Sequence, residues 1–465
     1  MIATQVRFTR PAQSLNLRRL RAPLAVAACL RLGLMLLAFA LTGTRIMTQG
    51  DTSSYIDPGR SLFFHGAFAT LGAPEIDRTP GYPIFAVFTG MAFDNVLLTV
   101  TAQILIALAS LILVARIAER IFPSHGVRPN RSVGLFAAWL FAFEPLMLTS
   151  AIRLMPETLF VLLLLFAVER ILSFLETRNL IQLAFAGVLL ASATFVRPVS
   201  YYLGFALAIG LAIASPKQRG LRWNAPAILL LGILPWLAAW QLRNKIETGY
   251  SGFSSIVEEN LYFFQSAEVT AEMRHISLGA EQKELGYPDD LSYIAMHPEQ
   301  RDWSRSQKLR FMRRQSLQIL SQHPLLYLKT HIRGVAIVAF TPCATEMLQL
   351  LDAYPPPDTM PRRILNEGLT KSLLRVLTAH PGVSIAMAAF EAWLLMLYAL
   401  AAYGIFHAKK TDASVLLLLG IALYFLLISG GAQAIGRYRA PVMPELCIFA
   451  AAGLVALRTK RNAKP

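Results

Sequence analysis

The stretch VLLTVTAQILIALASLILVARIA, residues 96–118, decides the fold class of this chain. Its apolar run exceeds the roughly 20 residues with which a helix crosses the hydrocarbon core of a membrane. Ten further apolar segments of this kind occur along the 465 residues. We therefore predict an all-α polytopic membrane protein of about ten to twelve transmembrane helices. The predicted spans are Ala22–Leu41, Val96–Ala118, Val133–Ser150, Thr158–Leu175, Leu180–Phe195, Tyr201–Ala214, Ala225–Leu242, Leu325–Phe340, Val383–Phe406, Ala413–Ile428 and Pro441–Leu457.

The composition agrees with membrane insertion. Hydrophobic residues make up 55% of the chain and charged residues 15%, and the mean hydropathy is +0.48. A soluble chain carries about 25% charged residues, and the strands of a β-barrel alternate in short segments, so both classes are excluded. The net charge of +16 comes from basic residues between the apolar runs. These are typical of topology signals and lipid contacts, so we expect membrane lipids and no nucleic acid as partners.

Basic residues in short loops predict the orientation of the spans. The basic N-terminal segment is placed inside, and alternation puts Arg116 and Arg120 on the same side. The first loop, residues 43–83, then lies outside. The rule conflicts beyond residue 324 unless the segment Leu325–Phe340 does not cross, so the side of the C-terminus stays open. We divide the chain into an N-terminal transmembrane module (1–242), an extracytoplasmic helical region (243–324) and a C-terminal transmembrane module (325–465).

Asp51 is the leading catalytic candidate. It stands in the polar sequence QGDTSSY, residues 49–55, directly after the first span. A carboxylate at a membrane surface suits the removal of a proton from an acceptor hydroxyl or amine. The alternatives are a solvated loop residue or the N-cap of a helix beginning at Thr52. Glu75 and Asp77, in the same loop, are either a second acid that orients the acceptor or exposed loop charges.

The sequence RTPGYP, residues 78–83, points to a binding site for an anion. Two prolines and a glycine predict a sharp turn where the chain re-enters the membrane, which would hold Arg78 at the level of the head groups. A guanidinium suits phosphate because its planar fork donates two hydrogen bonds at once. The alternative is an interfacial arginine that extends towards water.

Further charged residues are predicted at the outer ends of spans, namely Arg153, Glu157, Arg197, Arg243 and Arg437. Charges at membrane depth usually face a cavity or a partner. A simple salt bridge from Arg153 or Arg197 to Glu157 is an equal alternative. The histidines are scattered, and no acidic metal motif, glycine-rich phosphate loop or nucleophile elbow occurs. We therefore expect no metal site and no certain cofactor, and a divalent cation is unsupported.

An ordered set of motifs resembles the GT-C integral-membrane glycosyltransferases, in particular the protein O-mannosyltransferase and aminoarabinose-transferase group. The set extends over almost the whole chain. It comprises Arg31 in the first helix, Asp51 with Tyr55, RTPGYP at 78–83, PETLF at 156–160, VRP at 196–198, PW at 235–236, RN at 243–244 and RYRAP at 437–441.

The resemblance implies a GT-C type helical bundle with juxtamembrane helices in the first extracytoplasmic loop, a polyprenyl-phosphate-sugar donor and inversion at the anomeric carbon. It implies that Asp51 is the acidic catalytic residue of the first loop and that Arg78, Arg243 and Arg437 contact the donor phosphate. The supporting residues would be Tyr55, Glu75, Asp77, Tyr82, Glu157 and Arg197. Many relatives carry an acidic pair where this chain has Asp51-Thr52.

The sequence therefore predicts a multi-pass glycosyltransferase of a bacterial inner (plasma) membrane, with its active site on the extracytoplasmic side. Neither the sugar nor the acceptor follows from the sequence. The rival class is a lipid or lipid-linked-sugar transporter or flippase without transferase activity. Such a protein would place its charges near the midplane of the bilayer and show internal pseudo-symmetry.

Overall fold

The computed structural model describes residues 17–123, 132–214, 221–354, 381–408 and 412–462, and most of the basic N-terminal segment lies outside these ranges. The described chain is almost entirely helical. Its α-helices are α1 Arg21–Thr42, α2 Thr52–His65, α3 Gly81–Phe88, α4 Val96–Ile121, α5 Val133–Phe143, α6 Pro145–Ile152, α7 Glu157–Thr177, α8 Leu180–Val196, α9 Leu203–Ala214, α10 Leu221–Thr248, α11 Ile256–Asn260, α12 Ala267–Arg274, α13 Leu278–Glu284, α14 Asp290–Met296, α15 Arg305–Gln322, α16 Pro324–Phe340, α17 Ala344–Leu350, α18 Pro381–His407, α19 Ala413–Ile428 and α20 Met443–Asn462. Shorter elements are the 3-10 helices Leu17–Leu20, Met91–Phe93, Pro198–Ser200, Pro298–Gln300 and Gly436–Val442, the π-helix Leu261–Ser266, and the antiparallel strands β1 Ala69–Thr70 and β2 Ala73–Pro74.

The helices confirm the predicted fold class. Six described helices are long and apolar enough to cross a membrane, and the bent pair α5 and α6 is a seventh candidate. Three shorter apolar helices, Leu180–Val196, Pro198–Ile213 and Ala413–Ile428, accompany them. The helix α16 coincides with the predicted segment Leu325–Phe340, and whether it crosses stays a prediction.

The predicted span Val133–Ser150 is wrong as a single helix. It is broken into α5 and α6, whose axes differ by 56°. Pro145 begins α6, where its missing N–H costs nothing, and the Glu144 carboxylate accepts a hydrogen bond from the Met147 N–H at 2.6 Å. A proline at the first helical position with an acidic cap before it is a helix start, so the apolar run restarts instead of continuing.

Residues 249–322, here called the polar helical region, pack as short helices with their own aromatic core. Tyr250, Tyr262, Phe263 and Tyr293 belong to that core. The first loop contributes Ile76, which is fully buried among them. Burying an isoleucine side chain stabilises by about 1.5–3 kcal/mol, so Ile76 anchors the first loop to this region.

The first loop is also fixed to the membrane helices. The Leu154 N–H donates to the Met47 carbonyl at 2.8 Å, and the Thr52 hydroxyl donates to the Leu154 carbonyl at 3.2 Å. At the other end of the loop, a Cβ on Gly81 would lie 2.6 Å from the Phe195 carbonyl oxygen. Only glycine permits this approach of α3 to the end of α8. These contacts position Asp51 and Arg78.

Candidate active site

Asp51 is held between two arginines from distant parts of the chain. Its Oδ1 lies 3.5 Å from Arg78 Nη2, and its Oδ2 lies 3.2 Å from Arg437 Nη2. The Asp51 side chain is 45% exposed, whereas those of Arg78 and Arg437 are 17% and 18% exposed. The carboxylate is thus accessible to a substrate, while the two guanidinium groups are oriented by their surroundings.

Glu157 provides a second carboxylate behind the first. Its side chain is only 1% exposed, and Oε1 lies 3.4 Å from Arg197 Nη1 and 3.3 Å from Arg437 Nε. The predicted salt bridge between Arg197 and Glu157 is therefore present, and Arg437 extends it to Asp51. We call Asp51, Arg78, Glu157, Arg197 and Arg437 the charged cluster.

The charged cluster carries one more positive than negative charge, because three guanidinium groups face two carboxylates. Glu157 Oε2, Arg197 Nη1 and Arg437 Nε are buried without a hydrogen-bond partner. Buried polar atoms normally have partners, so unsatisfied ones mark a place where a ligand or water completes the bonding. An anion at this point would be favoured by the net positive charge of the cluster.

Arg78 is oriented by the helix that begins next to Asp51. Its Nε donates to the Ser54 hydroxyl at 3.0 Å, its Nη1 donates to the Tyr55 hydroxyl at 3.2 Å, and its guanidinium lies 4.4 Å from the Tyr55 ring centre. Burial lowers the pKa of Arg78, but its electrostatic interactions with Tyr55 and Asp51 outweigh that effect and raise the pKa. Arg78 is therefore a fixed cation at every physiological pH.

Tyr82 supports this arrangement from the membrane side. It is fully buried, and its ring contacts that of Tyr55 edge-on at 5.3 Å. The Tyr82 hydroxyl donates to Gln103 Oε1 at 2.8 Å, and Gln103 Nε2 donates in turn to the Arg153 carbonyl at 2.8 Å. This chain of bonds connects α3, α4 and the end of α6 beneath the charged cluster.

Glu75 accepts hydrogen bonds within the first loop and is not a member of the charged cluster. Its Oε1 accepts hydrogen bonds from the Asp77 and Arg78 N–H groups at 2.6 and 3.0 Å, and its Oε2 accepts one from the Thr70 hydroxyl at 2.6 Å. Glu75 is buried, so the alternative of an exposed loop charge is wrong. These bonds fix the backbone that presents Arg78.

Arg243 does not join the charged cluster. Its guanidinium donates to the Glu75 carbonyl at 2.6 Å and to the Phe68 carbonyl at 2.8 Å, and it lies 5.0 Å from the Trp240 ring centre. The predicted contact with the donor phosphate is thus replaced by a structural contact with the first loop. Both acceptors are carbonyl oxygens of the loop, to which the N–H groups of a guanidinium can also donate.

Asp77 joins the first loop to the polar helical region. Its carboxylate pairs with Arg305 and accepts a hydrogen bond from the Ser255 hydroxyl, and its carbonyl accepts one from the Ser254 hydroxyl at 2.6 Å. Burial and then the Asp77 charge raise the pKa of the neighbouring Glu259 to about 7. Asp77 was predicted to be a second acid that orients the acceptor or an exposed loop charge. Its carboxylate is instead engaged in structural contacts with Arg305 and Ser255.

Two residues beside the charged cluster, Tyr287 and Tyr438, were not among the predicted site residues, whereas Arg153 was predicted at the outer end of a span. The Arg153 side chain approaches to 4.0 Å from where a Cβ of Gly50 would stand, and its buried Nε has no hydrogen-bond partner. The Arg197 guanidinium lies 5.6 Å from the Tyr438 ring centre. Burial and then the Asp51 charge raise the pKa of Tyr287. Tyr438 stands within the motif RYRAP already noted, whereas nothing in the sequence signals Tyr287.

Within the described residues, no group of three or more His, Cys, Asp or Glu side chains is arranged to hold a metal ion. Metal dependence stays a prediction.

Comparison with known proteins agrees with this architecture. Residues 77–241 match the family model described as dolichyl-phosphate-mannose-protein mannosyltransferase, a stretch that includes Arg78, Glu157 and Arg197. No curated protein matches the chain.

Solved structures of an oligosaccharyltransferase from Archaeoglobus fulgidus share the fold at 12% sequence identity. The apo form has a TM-score of 0.53 over 96% of this chain and 51% of that chain. A form tethered by a disulfide bond to an acceptor peptide containing the NVT sequon has a TM-score of 0.51 over 96% and 50%. This chain thus spans about half the length of those proteins. The predicted resemblance to GT-C glycosyltransferases and the GT-C type helical fold are confirmed.

Proposed function

We propose that this chain transfers a sugar from a polyprenyl-phosphate donor to an acceptor at the outer face of a bacterial inner membrane, with inversion at the anomeric carbon. The observation that carries the proposal is the accessible Asp51 carboxylate held 3.5 and 3.2 Å from Arg78 and Arg437. A base and a cationic anion site share one location, as displacement of a phosphate by an acceptor requires. The family match and the shared fold support the donor class.

The donor phosphate would bind to Arg78 and Arg437. These guanidinium groups would then exchange part of their contact with Asp51 for contact with the phosphate oxygens, which leaves a carboxylate oxygen free. The bond between the anomeric carbon and the phosphate oxygen breaks, and charge grows on the leaving phosphate. Donors directed at that oxygen stabilise the transition state more than the ground state, so they accelerate the reaction.

Asp51 would accept the proton of the attacking hydroxyl or amine while the acceptor forms its bond to the anomeric carbon. Attack from the face opposite the phosphate inverts the configuration. Glu157 is too enclosed to reach a substrate, and it would instead hold Arg437 and Arg197 in place. Tyr55 and Tyr82 would keep Arg78 in its orientation.

The rival proposal is a flippase for lipid-linked sugars. It predicts charges near the midplane of the membrane. Asp51 and Arg78 instead lie in a loop, and Arg437 lies in the 3-10 helix Gly436–Val442 that precedes α20. A flippase would leave the donor intact, so release of free polyprenyl phosphate separates the two functions.

The test uses purified full-length protein in lipid nanodiscs, a polyprenyl-phosphate donor with a labelled sugar, and a membrane extract from cells lacking this protein as the acceptor source. We expect free polyprenyl phosphate to accumulate together with labelled product. Asp51→Asn should reduce turnover about 10²–10⁴-fold, the range for loss of a general base. Asp94→Asn is the matched control, because Asp94 also pairs with an arginine, Arg60, but outside the charged cluster.

Two outcomes would contradict the proposal. If the wild-type protein moves the labelled lipid across the membrane without releasing polyprenyl phosphate, the protein is a transporter. If Asp51→Asn turns over as fast as Asp94→Asn, Asp51 is not the base.

A further inference from the structure

A cavity of about 500 Å³ lies outside the charged cluster. One wall is formed by the entry to α9 and the end of α10, with Tyr201, Tyr202 and Gln241. The opposite wall is formed by the polar helical region, with Arg310 and Arg313 from α15. The cavity therefore opens between apolar helices of membrane character and a polar region, where a molecule with an apolar and a charged part would fit.

One face of α15 supplies the charged wall. The lining residues on this helix recur every three to four positions, as one side of a helix requires; they are Ser306, Leu309, Arg310, Arg313 and Leu317. Arg310 and Arg313 are exposed. Arg314, which is also exposed, is not among the residues that line the cavity.

The cavity has more positive than negative charge. Glu258 is its one carboxylate among the lining residues, and its Oε2 accepts a hydrogen bond from the Tyr250 hydroxyl at 2.7 Å. Glu258 Oε1 lies 3.9 Å from Arg313 Nη1, at the limit of an ion pair. In the part of the chain that the structure describes, no carboxylate pairs with Arg310. Arg310 is thus available to an anion, and Arg313 is held only by this long contact with Glu258.

The wall formed by the entry to α9 and the end of α10 has the character of a membrane interface. Tyr202 is 60% exposed, and with Tyr201 it stands directly before the apolar helix α9. Tyrosines concentrate at the level of lipid head groups because they have an apolar ring and a polar hydroxyl. Leu261, Leu309 and Leu317 add apolar surface to the lining. A bare phosphate ion would leave this surface and most of the volume unused.

The cavity shares its wall with the charged cluster at two places. Pro198 lines the cavity and directly follows Arg197. Ser254 also lines it, and its hydroxyl donates to the carbonyl of Asp77, which directly precedes Arg78. A molecule held in the cavity therefore lies next to the segments that present two arginines of the charged cluster.

From these observations we propose that the cavity binds the anionic head group of a second lipid beside the sugar donor, with Arg310 and Arg313 as its ligands. The inference rests on the proposed function in one respect. If the chain binds a sugar donor, a second lipid beside that donor is the acceptor or a molecule that accompanies the acceptor. The binding itself is independent of transfer.

Binding is measured on the purified full-length protein in phosphatidylcholine nanodiscs, titrated with phosphatidylglycerol as the probe and read by native mass spectrometry. The double variant Arg310→Gln/Arg313→Gln should bind the probe about 30-fold more weakly, the loss expected when two basic residues near a membrane surface are removed. Arg314→Gln should bind within about twofold of the wild type, because it removes the same charge at a residue that does not line the cavity. Arg310→Lys/Arg313→Lys should retain most of the affinity, because the charge is kept.

Equal affinity in the double glutamine variant and in Arg314→Gln would overturn the proposal. Displacement of the probe by inorganic phosphate at matched concentration would also overturn it, because the site would then recognise free phosphate and not a lipid. The melting temperature of each variant shows that the fold is intact. Failure of the transfer assay with intact probe binding would remove the proposed function and leave this lipid site.

Discussion

Replacing Arg437 by glutamine tests the charged cluster most directly. Arg437 is the residue that contacts both carboxylates, with Nη2 3.2 Å from Asp51 and Nε 3.3 Å from Glu157. In Arg437→Gln, the enclosed Glu157 keeps only Arg197, at 3.4 Å. The substitution therefore leaves a buried negative charge with half of its former partners.

The structure sets the size of the effect. Removing one partner of a buried ion pair costs about 3–5 kcal/mol, because the other charge stays buried. Since Arg197 still faces Glu157, we expect Arg437→Gln to lower the free energy of unfolding by about 2–3 kcal/mol. The control is Arg45→Gln, whose partner Asp352 lies 3.6 Å away and whose pair is 67% and 60% exposed. An exposed pair contributes at most about 1 kcal/mol.

Both variants are compared by thermal unfolding in detergent and by release of polyprenyl phosphate in nanodiscs. Arg437→Gln should unfold at a clearly lower temperature than Arg45→Gln and should turn over about 10²–10³-fold more slowly, as on loss of one donor to a developing oxyanion. Should the two variants unfold and turn over alike, the contacts of Arg437 with Asp51 and Glu157 would carry neither stability nor catalysis, and the reasoning would be refuted.

Two further predictions concern the surroundings of the site. Gly81→Ala should lower the free energy of unfolding by about 1–3 kcal/mol, because its Cβ would lie 2.6 Å from the Phe195 carbonyl oxygen. The control Gly33→Ala, with open space around the Cβ, should be neutral or stabilising. Equal melting temperatures of the two variants would show that α3 can move away from α8. Glu259, whose pKa is raised to about 7 by burial and then by Asp77, should make stability fall as the pH rises from about 4.5 to about 7, because the folded state holds the proton more tightly. Glu259→Gln should reduce the slope of the plot of melting temperature against pH over this range. An unchanged slope would exclude Glu259 as its source.

The hydropathy of the sequence was sufficient to predict where apolar helices lie, but not where a helix is broken. The predicted segment Ala413–Ile428 coincides with α19, because the segment is apolar on all sides of the helix. The segment Val133–Ser150 differs, since the restart at Pro145 depends on the Glu144 cap, which a count of apolar residues does not register.

The candidate site was predictable in part. The sequence indicated Arg78 near Asp51 because both stand in one loop, and the rigid turn at residues 78–83 limits where Arg78 can point. The contact between Asp51 and Arg437 spans 386 residues and depends on the packing of the C-terminal helices. Arg243 was predicted to contact phosphate, but a guanidinium can also donate to carbonyl oxygens, and here it donates to those of Glu75 and Phe68.

The contacts of the first loop explain how an exposed carboxylate can have a defined position. Asp51 itself is held by two long ion pairs that solvent weakens. The backbone on either side is fixed instead, by the Thr52 bond to Leu154 and by the Glu75 bonds to the Arg78 N–H. A reactive group on a fixed backbone reaches its working geometry without reorganisation, which is where electrostatic catalysis gains most. The polar helical region, through Arg305 and the burial of Ile76, holds this loop in place, and in the proposed reaction it would therefore contribute without contacting the reacting atoms.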